Sequence, residues 1–137
     1  MTDKIFLDTN LWLYLYAKDP PEKYQKLEEI INNKSQFIQV STQVLGELFH
    51  VLTRKNFTSK TDAVEIVLDI ISCFPIQSID TPQVSQALEI NAKYGYSYWD
   101  SLILATALQS GCSIIYSEDM QHNQLINNKV QILNPFV

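Results

Sequence analysis

Four carboxylates stand where an isolated acid is not expected, at the ends of apolar runs or at the margins of apolar helix faces. They are Asp8, Glu47, Asp100 and Asp119. Acids brought close together repel one another, and this repulsion raises their pKa values. A hard divalent cation removes the conflict, and an all-oxygen ligand set favours Mg²⁺ or Mn²⁺. The chemistry best served by such a site is phosphoryl-oxygen displacement, in which metal ions activate a water and stabilise the leaving oxygen.

Two of these acids follow segments with the character of strands. Asp8 ends the apolar run of residues 5–7, and Asp119 follows residues 113–116 after two polar residues. Simpler interpretations stay open, because Asp8, Thr9 or Asn10 can cap the next helix and acids are common in turns. If Asp8 binds a metal, Thr9 or Asn10 is left to cap the helix.

The other two acids belong to predicted helices. Glu47 falls beside Val44 and Val51, at the edge of an apolar stripe, where its stem can pack while its carboxylate stays in water. Asp100 shares a face with Ile103 on a helix that is apolar nearly all round. Its carboxylate either lies on the surface of the first turn or is buried there. A buried carboxylate needs more electrostatic stabilisation than the helix N-terminus provides, which is about 0.3–1 kcal/mol.

Short apolar strands that alternate with helices would position the acids. Strands are predicted at residues 4–7, 36–40, 75–79, 113–116 and 129–133, and helices at 10–17, 21–33, 42–54, 59–73, 82–94, 98–109 and 122–127. This order predicts an α/β fold, a three-layer sandwich with a central, mostly parallel sheet of four to five strands flanked by helices. The ends of parallel strands and the starts of the helices that follow them share one sheet edge, so the four acids should lie together.

Composition narrows the class of protein. The 137 residues fit one domain, residues 1–137, and no apolar stretch reaches the roughly 18 residues needed to span a membrane. The N-terminus lacks the features of a signal peptide, and two cysteines in unrelated contexts, Cys73 and Cys112, suggest buried thiols in a reducing cytoplasm. The net charge of −5 and a single arginine, Arg54, are atypical of non-specific nucleic-acid binders.

The ordered set of motifs resembles that of PIN-domain nucleases. The matching segments are residues 5–10 around Asp8, 41–47 ending in Glu47, 98–103 around Asp100, and 117–119 ending in Asp119. Their order and the intervening helices agree along the whole chain. One departure is mild, because Ser117 stands where threonine is commoner in the family.

The resemblance is closest to small prokaryotic members, many of which are VapC-type toxins. It implies a flavodoxin-like sheet, a cytoplasmic Mg²⁺- or Mn²⁺-dependent endoribonuclease, an RNA substrate, a homodimer and an antitoxin protein encoded next door. The four matching acids would be the catalytic and metal-binding residues, with Asp8 and Asp100 as the most direct ligands. Thr9, Asn10 and Ser117 would support them, and Ser117 could hydrogen-bond to a metal-bound water.

Two other functions stay open from the sequence. Asp8 could be the covalent nucleophile of an aspartyl-phosphate phosphotransfer or phosphatase domain, although no lysine follows a clear strand end to meet the phosphate. The chain could also be a non-catalytic PIN-like interaction module that binds a partner through apolar helices. The four acids argue against the module, because without a metal they cost free energy.

Several other side chains have two interpretations. His50 and His122, each near a candidate acid, could assist proton transfer or lie on the surface. Glu118 is an alternative to Asp119 at the same turn. Six aromatic residues could stack on unpaired bases, or pack in the core or in a dimer interface. They are Trp12, Tyr14, Tyr16, Tyr96, Tyr98 and Trp99.

Overall fold

Six strands and six α-helices alternate along the part of the chain that the computed structural model describes, residues 3–54 and 57–137. The strands are β1 (Lys4–Leu7), β2 (Ile38–Ser41), β3 (Ile76–Gln77), β4 (Cys112–Tyr116), β5 (Leu125–Ile126) and β6 (Val130–Leu133). The helices are α1 (Thr9–Ala17), α2 (Pro21–Lys34), α3 (Thr42–Arg54), α4 (Lys60–Cys73), α5 (Thr81–Tyr94) and α6 (Tyr98–Gln109).

The strands form one sheet in the order β3-β2-β1-β4-β6-β5. All neighbouring pairs are parallel except β5 and β6, which are antiparallel. Helices flank this sheet, and every side chain of β2 is buried. Because successive side chains of a strand point to opposite faces, both faces are covered at β2. The α/β sandwich predicted from the sequence is confirmed, with one strand more than expected.

The additional strand replaces the helix predicted at residues 122–127, and that prediction is wrong. Asn127 and Asn128 have φ values of 50° and 56°, and Asn123 has a φ of 70°. Asparagine tolerates this left-handed conformation, which interrupts a right-handed helix. The amide of Lys129 donates to the carbonyl of Ile126 at 2.9 Å, so the chain turns back as a short hairpin.

Three strands, β2, β3 and β6, are shorter than predicted, and one thiol is exposed instead of buried. A 3₁₀ turn at Ser35–Phe37 delays the start of β2, and β3 is limited to two residues. Cys112 is buried as expected, whereas Cys73 is exposed, and both are free thiols. None of the helices in the described ranges combines the length and apolar character needed to cross a membrane.

The strand order changes direction at the centre of the sheet. Strands β2 and β3 lie on one side of β1, and the later strands lie on its other side. Strand β1 lies between β2 and β4, and Leu7 pairs in register with Tyr116. The next residue after each of these two, Asp8 and Ser117, therefore emerges at the same edge. Open α/β sheets bind ligands outside the carboxyl ends of the strands at such a switch point. The residues that follow β1 and β4 are therefore the expected ligand-binding positions.

Candidate functional site

A cavity of about 310 Å³ lies at the carboxyl ends of the central strands. Its lining includes all four acids singled out from the sequence, Asp8, Glu47, Asp100 and Asp119. They come from the end of β1, from α3, from the first turn of α6 and from the turn after β4. The expectation that they lie together is met, while their catalytic and metal-binding roles stay predictions.

Asp8 is both the cap of α1 and a wall of the cavity. Its Oδ1 accepts the backbone N–H of Thr9 at 2.8 Å, and its Oδ2 accepts the hydroxyl of Ser117 at 2.9 Å. The backbone at Asp8 is extended, as is usual for an N-cap residue. The expectation that Thr9 or Asn10 caps the helix is therefore wrong. One carboxylate therefore both caps α1 and lines the cavity.

The pKa values of two acids show the electrostatic cost of this arrangement. Burial raises the pKa of Asp8 to about 6, with further increases from the charges of Asp100 and Asp119 and opposing hydrogen bonds from Ser117 and Thr9. Burial also raises the pKa of Asp100, and the charges of Asp119 and Glu47 add to the increase. Negative charge is thus concentrated in a partly desolvated space, which favours a cation there.

The first residues of α1 orient two of the other acids. The hydroxyl of Thr9 donates to Oε1 of Glu47 at 2.6 Å, and the side-chain amide of Asn10 donates to Oδ2 of Asp119 at 2.8 Å. Both contacts join residues far apart in sequence. Thr9 and Asn10, predicted as supporting residues, therefore contact the predicted acids directly.

Ser117 is fully buried, and its side-chain hydroxyl makes three hydrogen bonds. Its hydroxyl proton goes to Asp8, while its oxygen accepts the backbone N–H groups of Asp119 and Met120 at 3.3 Å each. The hydroxyl consequently fixes the turn that carries Asp119 and one oxygen of Asp8. Since its single proton is used in this way, the hydroxyl acts as a donor to Asp8 in the structure.

Glu118, the alternative to Asp119, faces away from the cavity. Lys23 donates to its Oε2 at 2.7 Å, and the hydroxyl of Tyr14 donates to its Oε1. Burial opposes ionisation, but the hydrogen bonds from Lys23 and Tyr14 lower the pKa of Glu118 overall. Glu118 is therefore an ion-pair partner of α2, and it is absent from the cavity lining.

The two histidines have different positions. His50 lines the cavity and is exposed, so it is available to a bound molecule. His122 does not line the cavity, and its Nδ1 accepts the backbone N–H of Asn134 at 2.8 Å. Of the two, only His50 is placed to assist proton transfer.

One residue of the site's surroundings was missed by sequence reasoning. The side-chain amide of Gln43 donates to the backbone carbonyl of Trp99 at 3.0 Å and approaches Oε2 of Glu47 at 3.4 Å. It therefore links the start of α3 to the start of α6, beside Asp100. The available signal was its position one helical turn before Glu47, on the same face.

The donor chemistry fits a hard divalent cation. Within residues 3–54 and 57–137, no three His, Cys, Asp or Glu side chains form a ready set of metal ligands. Mg²⁺, however, usually binds through one or two carboxylates and keeps several waters. Asp8 and Asp100, whose pKa values are raised by burial and by neighbouring acids, are the pair best suited to hold such a partly hydrated ion.

Fold and site together define a class of protein, the α/β domains with an acidic cavity at the carboxyl edge of a mostly parallel sheet. Within this class, the family model described as PIN domain matches residues 5–126. The chain belongs to the PIN domain family, as the sequence motifs predicted. No curated protein matches the chain.

Solved structures of bacterial toxins share the fold. Mycobacterium tuberculosis VapC20, described as a sarcin-ricin loop cleaving toxin, is 21% identical with a TM-score of 0.69, over 83% of this chain and 88% of that one. A Klebsiella pneumoniae toxin–antitoxin complex is 14% identical with a TM-score of 0.73, over 96% and 98%. DNA-bound VapBC from Salmonella typhimurium is 20% identical with a TM-score of 0.70, over 96% and 97%. At these identities the similarity establishes the fold.

Proposed function

We propose that the chain is a Mg²⁺- or Mn²⁺-dependent endoribonuclease and the toxin of a toxin–antitoxin pair. The observation that carries this proposal is the convergence of Asp8, Glu47, Asp100 and Asp119 on one cavity in a PIN-domain chain. The structural similarity to VapC20, a sarcin-ricin loop cleaving toxin, supports the choice of RNA.

The four acids have different proposed roles, which follow from their hydrogen-bond partners and their pKa values. Asp8 and Asp100 hold the cation, since their charged forms gain most from it. Oε1 of Glu47 has a short hydrogen bond from Thr9, whereas Oε2 has only the longer contact with Gln43, so Oε2 is the atom better placed to orient an attacking water. Asp119, held by Asn10, completes the site. The bound cation supplies Lewis-acid activation of the water and stabilises charge at the scissile phosphate.

The phosphotransfer alternative receives no support from the cavity. A transferred phosphoryl group needs a positive side chain to meet it, yet the described residues that line the cavity include no lysine or arginine. The interaction-module alternative leaves the raised pKa of Asp8 unexplained, because that burial is a cost in a protein that binds no cation.

An antitoxin and a second copy of the chain are the proposed protein partners, and the cytoplasm is the proposed location. Val64, Leu68 and Ile71 of α4 are exposed apolar side chains at spacings that place them on one helix face. Such a face suits an apolar segment of an antitoxin. Co-purification of the protein with the product of an adjacent small gene, followed by light scattering of the isolated chain, tests both partners.

Cleavage of single-stranded RNA tests the proposed activity. The wild-type protein should cleave a labelled RNA with Mg²⁺ or Mn²⁺ and lose activity in EDTA. Asp8→Asn and Asp100→Asn should each reduce the rate at least about a hundredfold, as loss of a central active-site group commonly does. Glu118→Gln is the matched control, since it removes an acid from the same region without touching the cavity. Activity that persists in both aspartate variants would contradict the proposal.

A further inference from the structure

A second cavity, of about 760 Å³, adjoins the acidic one. Glu47 and His50 line both, so the two spaces lie side by side along α3. The second cavity is bounded mainly by apolar surface, including Ile79, Trp99 and Leu102. A substrate held in the acidic cavity would therefore extend directly onto an apolar wall.

Trp99 is the most conspicuous part of this wall. It is 61% exposed, although a large aromatic ring is usually covered in a folded protein. The ring of Tyr98 meets it edge-on, with centroids 5.0 Å apart and planes at 76°. Trp99 immediately precedes Asp100 in the first turn of α6. A braced and exposed indole thus stands next to a predicted metal ligand.

Gln43 supplies a polar atom that has no partner within the described ranges. Its Nε2 donates to the carbonyl of Trp99 at 3.0 Å. Its Oε1 is buried and accepts no hydrogen bond. A buried acceptor left in this state is costly, so it indicates a ligand that brings an N–H group.

Gly46 keeps the helix surface between these residues open. It lies inside α3, where glycine is a poor helix former compared with alanine. A Cβ built on it meets no atom within 4 Å, so no neighbouring group requires the glycine. Because Gly46 lines the second cavity, the absence of a side chain allows a flat group to approach the helix backbone there.

We propose that this cavity binds the base of a nucleotide next to the scissile phosphate of single-stranded RNA. The base stacks on Trp99, and a small shift of the Gln43 side chain brings Oε1, which is shielded in the unbound protein, within reach of the exocyclic amino group of the base. Amino-bearing bases such as cytosine are then preferred over uracil, which carries an oxygen at the same ring position. This inference rests on the proposed ribonuclease function and names the part of its substrate that determines specificity.

The two tryptophans allow base binding to be measured without cleavage. In the ¹⁵N-labelled full chain, the indole N–H of Trp99 reports on the cavity, while Trp12, which is 1% exposed, serves as an internal reference. In EDTA, cytidine should shift the Trp99 resonance, leave that of Trp12 in place, and bind about three- to tenfold more tightly than uridine, as one neutral hydrogen bond allows. Gln43→Met should abolish this preference. Equal binding of both nucleosides to the wild type, or no shift of Trp99, would overturn the proposal.

A cleavage assay separates this inference from the proposed function. Trp99→Ala should raise KM for RNA about five- to a hundredfold through lost stacking, with a smaller effect on kcat, and Trp99→Phe should restore most of the loss. Gly46→Ala should also raise KM. Leu88→Ala, which removes an exposed apolar residue lining neither cavity, should leave KM unchanged. Unchanged KM in Trp99→Ala overturns the base site alone, whereas an inactive wild type whose Trp99 still responds to cytidine overturns the nuclease alone.

A second copy of the chain is the competing occupant of this surface. If Trp99 lies in a dimer interface, its resonance will shift with protein concentration in the absence of nucleoside, and Trp99→Ala will dissociate the dimer in sedimentation experiments. That result overturns the proposal. A Trp99 resonance that depends on cytidine but not on protein concentration supports it.

Discussion

The hydroxyl of Ser117 donates to Oδ2 of Asp8 at 2.9 Å and thereby joins the ends of the two central strands. Thr9 makes the equivalent contact to Glu47, and Asn10 makes it to Asp119. All of these donors are neutral. They orient the carboxylates without cancelling their charge, which is thus left for a cation.

Asp8 should make the metal-free protein less stable as the pH rises. Burial raises its pKa from 3.8 to about 6, so the folded state binds this proton more tightly than the unfolded state. The free energy of unfolding should therefore fall between about pH 4 and pH 6. In EDTA near neutral pH, Asp8→Asn should be more stable than the wild type by up to about 3 kcal/mol, and the two should converge near pH 4. Urea denaturation at both pH values measures this difference, and equal stability at neutral pH would contradict it.

Thr9→Val should impair cleavage more than it impairs folding. Thr9 is 7% exposed and valine has nearly its shape, so the main loss is the hydrogen bond to Glu47. We expect about 1 kcal/mol of lost stability and about tenfold slower cleavage. Thr106→Val is the control, because that buried hydroxyl donates to the carbonyl of Leu102 within α6. If Thr106→Val slowed cleavage as much as Thr9→Val, the slower cleavage would reflect the loss of any buried hydroxyl and not the loss of the hydrogen bond to Glu47.

Glu118→Gln should leave cleavage unchanged. Glu118 binds Lys23 and Tyr14 outside the cavity, so its loss removes only a partly exposed ion pair. The free energy of unfolding should fall by no more than about 1 kcal/mol. A large loss of kcat, measured under the same conditions as for Asp100→Asn, would place Glu118 in the catalytic site instead.

The sequence was sufficient to predict the fold class and the convergence of the four acids on one cavity, because both follow from local patterns. Asp8 ends an apolar strand, and Asp100 begins an apolar helix, which are features visible within about ten residues. The strand order was not predictable, since crossover lengths do not specify which strands become neighbours. For the same reason, the pairing of Glu118 with Lys23 across the fold could not be foreseen.

The missed details have local physical causes. The hairpin at Asn127 and Asn128 depends on two left-handed residues, a conformation that asparagine permits but does not require. The sequence alone does not reveal that the single carboxylate of Asp8 both caps α1 and lines the cavity. In the structure its Oδ1 accepts the backbone N–H of Thr9, and its Oδ2 accepts the hydroxyl of Ser117.

Calorimetric titration of Mn²⁺ into the full chain tests most directly whether the four acids form one cation site. The wild type and Glu118→Gln should bind Mn²⁺ with the same affinity, while Asp8→Asn and Asp100→Asn should each bind at least about tenfold more weakly, a loss of about 1.4 kcal/mol. Equal binding by all four proteins, or no binding by the wild type, would contradict the metal site.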